Sequence, residues 1–236
     1  MPRKKSTAYM SPGEQIAGTA FFVIYLVVLP FVTGPLFRLA GVLLGVTIDA
    51  AMQNIIYYYL LFAVTLVIFH AFLGRTSRQL AEGLSGALKC LGVGLIALYG
   101  LNELVYRLTN LVVSNQTNLN DTTISAQIAD APHMTLLIVI LLAPFVEEVL
   151  FRGLIFGNLR GKNPWLAYAV SCLLFALLHV WQFAVVNRDV TYFLLMVQYL
   201  VPGLVLAWVY DHSGTLWTSV ALHAAANALS VWTILA

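Results

Sequence analysis

Long apolar runs, separated by short polar clusters, organise this chain from end to end. Residues 15–37, 50–74, 134–156, 163–187, 190–210 and 215–236 form six runs, and about 20 apolar residues suffice to cross a bilayer. A seventh, 90–102, extends past Lys89 on one side and towards Leu111 on the other, with Glu103 and Arg107 at i,i+4 spacing to pair within it. Residues 39–48 are too short to cross alone and are expected as a re-entrant or interfacial piece. The polar stretch 113–133 is expected as the longest loop, and the basic stretch 74–89 as a shorter one. The runs are continuous and do not alternate residue by residue as membrane β-strands do. The pattern therefore predicts an all-α, polytopic transmembrane bundle of about seven spans, within limits of six to eight. It is read as a single integral-membrane domain over 1–236, with N-terminal helices over about 15–113 and a functional core over about 134–236.

Composition strengthens this reading. Of 236 residues, 61% are hydrophobic and 9% charged, with mean hydropathy +0.87; a soluble domain carries roughly 25% charged residues. The net charge of +2 is too small to imply a nucleic-acid partner. Cys90 and Cys172 lie in apolar runs, which points to neither a disulfide framework nor a cysteine metal site. The first run follows Arg3, Lys4 and Lys5 and is too long for a signal peptide, so it is expected as an uncleaved span. With seven spans, one face collects Arg3, Lys4, Lys5, Arg75, Arg78, Lys89, Arg160 and Lys162, and the other Arg38, Arg107 and Arg188. Eight against three predicts a multi-pass protein of the cell membrane with a cytoplasmic N-terminus.

Ionisable groups deep in a span are costly, about 2.5–3.5 kcal/mol each on insertion scales, and are kept mainly for a task. The fourth run holds Glu147, Glu148 and Arg152. Glu148 and Arg152 are four apart and share a helix face, which suits an ion pair. Glu147 lies about 100° round the helix and has no local cation. His179 in the fifth run and His223 in the seventh are its potential partners, with Asn227 one turn beyond His223. Taken singly, each feature has a plainer reading: a Glu–Arg clamp, or a histidine satisfied by a neighbouring helix. Jointly they favour chemistry. His70, His133 and His212 sit near span ends and read as interfacial, as do Tyr57-Tyr58-Tyr59, Trp165, Trp208 and Trp217. Gly83-Leu84-Ser85-Gly86 matches a short serine-protease pattern in an unsuitable basic stretch. Tyr210-Asp211 is half of an aspartyl-protease signature whose other half is missing, and there is no His-Glu-x-x-His.

Glu147-Glu148-x-x-x-Arg152, Phe175-x-x-x-His179 and His223-x-x-x-Asn227, in that order on three spans, resemble the CAAX protease and bacteriocin-processing enzyme family (CPBP, or Abi). The resemblance implies an intramembrane endopeptidase acting on a membrane-associated protein or peptide. In it, Glu147 activates water with help from His179, while His223 and Asn227 hold the oxyanion. Glu148, Arg152 and Phe175 support them. It implies no cofactor. The alternative is a zinc site of Glu147, His179 and His223, since two His and a Glu form a known catalytic set; Asn227, a poor zinc ligand and a good oxyanion donor, favours the metal-free form. Rival classes are a non-catalytic immunity or scaffold protein and, with less support, a proton-coupled transporter, which typically shows repeats and broken helices.

Overall fold

The computed structural model describes residues 9–110 and 119–235. Among the described residues seven helices are long and apolar enough to cross a membrane: Pro12–Leu44, Ala50–Ile68, His70–Val105, Pro132–Arg160, Pro164–Asn187, Val190–Ser213 and Leu216–Leu235. They are called here the first to seventh spans. Among the described residues there is no β-strand, and the expected all-α polytopic bundle is what the chain forms.

Three expectations about connections need correction. Residues 39–48 are not a separate re-entrant piece: the first span runs on through Leu39 to Leu44 and stops at Gly45, whose φ of +66° suits a glycine. Arg38 suggested a break because it interrupts the apolar run, but a long exposed arginine can point its head to water without ending a helix. Residues 74–89 are not a loop either. They are helical within His70–Asn110, which carries a kink at Gly83. Phe72, Leu73 and Thr76 form the buried stripe of this amphipathic stretch, while Gly74, Ser77 and Arg78 are exposed. Ser85 of the Gly-x-Ser-Gly match is exposed on this helix. Finally, the polar stretch 113–133 contains a helix, Leu119–Asp130. Ile124 and Ile128, four apart, pack against Val139 of the fourth span and Val231 of the seventh. Residues 111–118 of that stretch lie outside the described residues.

Polar side chains lock the ends of the spans. Ser11 and Glu14 form a capping box at the start of the first span. Glu14 also accepts from the backbone N–H of Phe72 (2.6 Å) and from Arg75 (2.7 Å), tying the first span to the start of the third. Thr76 Oγ1 accepts from the N–H of Leu216 at 2.7 Å, and Thr215 donates to the Thr76 carbonyl at 2.9 Å, which fixes the entry to the seventh span. Asp211, the residue of the half-signature, is a clamp: it accepts from Arg160 at 2.7 Å and from Tyr168 at 3.2 Å. Glu103 and Arg107 pair as expected, at 2.7 Å on the surface.

The fourth span is the most enclosed of the seven. It alternates α-turns with wider π-turns at Ile138–Leu142 and Val149–Phe156. Pro144 cannot donate to the carbonyl four residues back, and a wider turn just before it accommodates the loss. The six residues from Ala143 to Glu148 are regular α-helix, so the two glutamates keep their separation around the axis.

Candidate active site

Glu147 and Glu148 are both buried, but they face different partners. Glu148 Oε1 accepts from Arg152 Nη1 at 2.9 Å with both side chains fully buried, the i,i+4 pair read from the spacing. It also lies 2.9 Å from His223 Nδ1. Arg152 spends its other arm on the Gly203 carbonyl at 3.2 Å and sits 4.3 Å from the centre of the Phe175 ring. Gly203 permits this approach, because a Cβ there would lie 3.3 Å from the Cys172 backbone and 3.5 Å from Phe175. The pair therefore joins the fourth, fifth, sixth and seventh spans at one point.

Glu147 is the less satisfied carboxylate. Its Oε2 is buried and accepts no hydrogen bond from the described residues, and lies 3.9 Å from His223 Nε2, too far for one. His223 is thus placed between the two carboxylates, one on each ring nitrogen. Because Nδ1 donates to the Glu148 carboxylate, Nε2 can donate only when the ring carries both protons. In that state Glu147, Glu148, Arg152 and His223 sum to zero charge, the arrangement that a low-dielectric interior tolerates best.

His179 Nδ1 faces the Phe175 carbonyl at 2.9 Å, and its ring stacks on Tyr199 with centres 4.5 Å apart. Phe175 acts as a wedge, its ring centre 4.7 Å from His179 and 5.8 Å from His223. Asn227 Nδ2 donates to the Val139 carbonyl at 2.8 Å, inside the first π-turn of the fourth span. An amide has two N–H groups, so one stays available to a ligand.

Two cavities meet at His179. One, about 470 Å³, is lined by Glu147, His179, Tyr25, Tyr57, Tyr58 and Gln53, among others. The second, about 530 Å³, is lined by His179, His223 and Asn227 together with Tyr99, Gln198 and Asp121. Every residue singled out from the motifs is therefore in or beside one polar centre. Tyr57 and Tyr58 correct an expectation: they line the cavity beside Glu147, and of the three tyrosines only Tyr59, 51% exposed, is on the surface. Their signal was legible as Gln53, Asn54, Tyr57 and Tyr58 at i, i+1, i+4 and i+5, one polar face on an apolar helix. Asp121 had no such signal, since its helix was read as a loop. Cys90 and Cys172 are free thiols, Cys172 buried. Among the described residues no three His, Cys, Asp or Glu side chains are grouped so as to hold a metal ion.

Residues 130–229 match the family model for type II CAAX prenyl endopeptidases, Rce1-like. The chain is also 31% identical over 87 residues to the UPF0177 protein YxdF of Lactococcus lactis subsp. lactis (strain IL1403). That match covers 37% of this chain and 42% of the relative, so the chain spans less than half of it. No solved structure matches. The matched region contains all three motifs, and both findings are consistent with the CPBP/Abi family to which the motifs pointed.

Proposed function

We propose that the protein is an intramembrane endopeptidase of the CAAX-protease type, working without a metal on a membrane-associated protein or peptide. The observation that carries this reading is Glu147 Oε2, buried and without a hydrogen-bond donor, 3.9 Å from His223 Nε2. A water about 2.8 Å from both atoms would sit at the apex between them. Glu147 takes a proton from that water as its oxygen attacks the peptide carbonyl carbon. His179, with Nδ1–H given to the Phe175 carbonyl, offers the Nε2 lone pair and orients the water from the other side. Negative charge then develops on the carbonyl oxygen, which receives the free N–H of Asn227 and, as the water gives up its bond to His223 on attacking, the Nε2–H of His223. Glu147 returns the proton to the leaving nitrogen as the C–N bond breaks, and the carboxylic acid and amine so formed exchange the remaining proton and leave as a carboxylate and an ammonium. Glu148 and Arg152 hold His223 and balance its charge. Such donors, aimed in advance at a developing oxyanion, are worth about 2.7–4 kcal/mol each.

We place the protein in the cell membrane with its N-terminus in the cytoplasm, on the basic bias of that face. The test of the activity is a mass-spectrometric search for peptide ends in membranes carrying wild-type protein or Glu147→Gln. Cleaved ends present only with wild type are expected. Identical peptide populations from both, with both proteins folded and equally abundant, would refute the endopeptidase reading.

A further inference from the structure

The two cavities have a common direction. Beyond the site itself, their walls come from one end of the bundle: Thr33 and Phe37 late in the first span, Ala50 and Gln53 early in the second, and Asp121 and Thr123 on the 119–130 helix. That helix contributes Thr123 to one cavity and Asp121 to the other, so it sits across both. The opposite end is closed by Phe69, Phe72, Phe151, Phe156, Tyr210 and Leu216, all fully buried. The closed end is the basic one, with Arg75, Arg78, Arg160 and Lys162 among the described residues and Arg3, Lys4 and Lys5 preceding the first span. Positive charge marks the cytoplasmic face. The cavities therefore point away from the cytoplasm.

Charge sharpens the picture. Among the described residues no Lys or Arg lines either cavity; apart from histidines, the ionisable acids or bases that do are Glu147 and Asp121, besides tyrosines. Asp121 Oδ1 is held by Ser230 Oγ at 3.0 Å, which fixes the carboxylate at the wall. The open end carries Asp49, Glu103, Asp121, Asp130 and Asp189 against Arg38, Arg107 and Arg188, an acidic balance. A wall and rim of this sign attract and retain basic groups. Among the described residues, a substrate ending in a carboxylate at the cut site meets no Lys or Arg side chain in either cavity.

From this we propose that the site takes a cationic peptide segment presented at the extracytoplasmic face, with one of its basic side chains received at Asp121. The inference rests on the endopeptidase reading only for what happens after binding. Sidedness is read first in a cysteine-free background, with Thr47→Cys and Lys162→Cys probed by a membrane-impermeant maleimide. Thr47→Cys should label on intact cells and Lys162→Cys only after permeabilisation. Binding is read with a photocrosslinking 12-residue peptide carrying four lysines, and with its counterpart carrying four glutamates. On spheroplasts expressing Glu147→Gln, the lysine peptide should crosslink and the glutamate peptide should not. Asp121→Asn should weaken the lysine peptide about tenfold, the order expected of one partly buried ion pair. Labelling of Lys162→Cys from outside, crosslinking confined to inverted vesicles, or equal capture of the two peptides would overturn the proposal. Crosslinking from outside with no cleavage by wild type would refute the endopeptidase reading and leave this one standing. Glu147-dependent cleavage of peptides supplied only to the cytoplasmic face would do the reverse.

Discussion

Arg152 does two jobs that a shorter cation cannot combine, holding Glu148 Oε1 and the Gly203 carbonyl from separate arms of one guanidinium. Removing it leaves Glu148 buried beside His223 alone, and losing one partner of a buried pair costs about 3–5 kcal/mol. Arg152→Ala should therefore lower the thermal unfolding midpoint in detergent as well as activity, and Arg152→Lys should restore little of either. Glu147→Gln has the opposite profile, since its Oε2 accepts no bond whose loss would weaken the fold. It should unfold at the wild-type temperature and cleave nothing, read by circular dichroism beside a cleavage assay. Asn227→Ala combines both effects. The lost donor should reduce kcat about 10²–10³-fold with KM little changed, and the orphaned Val139 carbonyl should cost about 1 kcal/mol of stability. At this scale most of the site was legible in the sequence, because an ionisable group in an apolar run is conspicuous. The partnership of His223 with Glu148 was not. It joins residues 75 apart, and only the packing of the fourth span on the seventh creates it.

At the scale of elements, apolar runs located all seven spans, yet the joints between them were misread. A charge such as Arg38 interrupts a run without interrupting a helix, and the amphipathic stretches 70–83 and 119–130 look like loops when judged by mean hydropathy alone. Their buried stripes, Phe72-Leu73-Thr76 and Ile124-Ile128, are too short to stand out. The fit between spans, by contrast, rests on small residues. A Cβ on Gly94 would lie 2.6 Å from Val209 Cγ2 and 2.8 Å from Leu222 Cδ2, so the third span touches the sixth and seventh there with no room to spare. Gly94→Val should cost about 1–3 kcal/mol through overpacking and should also slow cleavage, because Leu222 adjoins His223. Gly92→Val, with nothing within 4 Å of the added Cβ, is the control and should do neither. Thermal unfolding of both variants in the same detergent is the measurement.

At the scale of the whole molecule, the residues proposed to do chemistry gather where the fourth, fifth and seventh spans meet, while the first and second spans supply a wall of Tyr25, Tyr57 and Tyr58. That wall belongs to the N-terminal half, which carries no motif of its own: the polar face of Gln53, Asn54, Tyr57 and Tyr58 can be read in the sequence, but its place beside Glu147 is given by the fold. Metal content is a property of the assembled site. Purified active protein should contain no stoichiometric zinc, and chelators should leave its rate unchanged. Zinc and activity lost together on chelation, then restored together, would reverse that expectation.

The closed end of the bundle has an electrical consequence. Where polar cavities reach the middle of a bilayer, the membrane voltage falls mainly across the part that stays insulating. Here that part is the layer of Phe69, Phe72, Phe151, Phe156, Tyr210 and Leu216. An elementary charge carried across 100 mV exchanges about 2.3 kcal/mol. Glu147 and His223 lie on the cavity side of the layer and so share the voltage of the solution into which the cavities open. On the proposed reading, imposing a potential across the membrane should therefore leave the cleavage rate unchanged, which vesicles with and without an imposed potential would check.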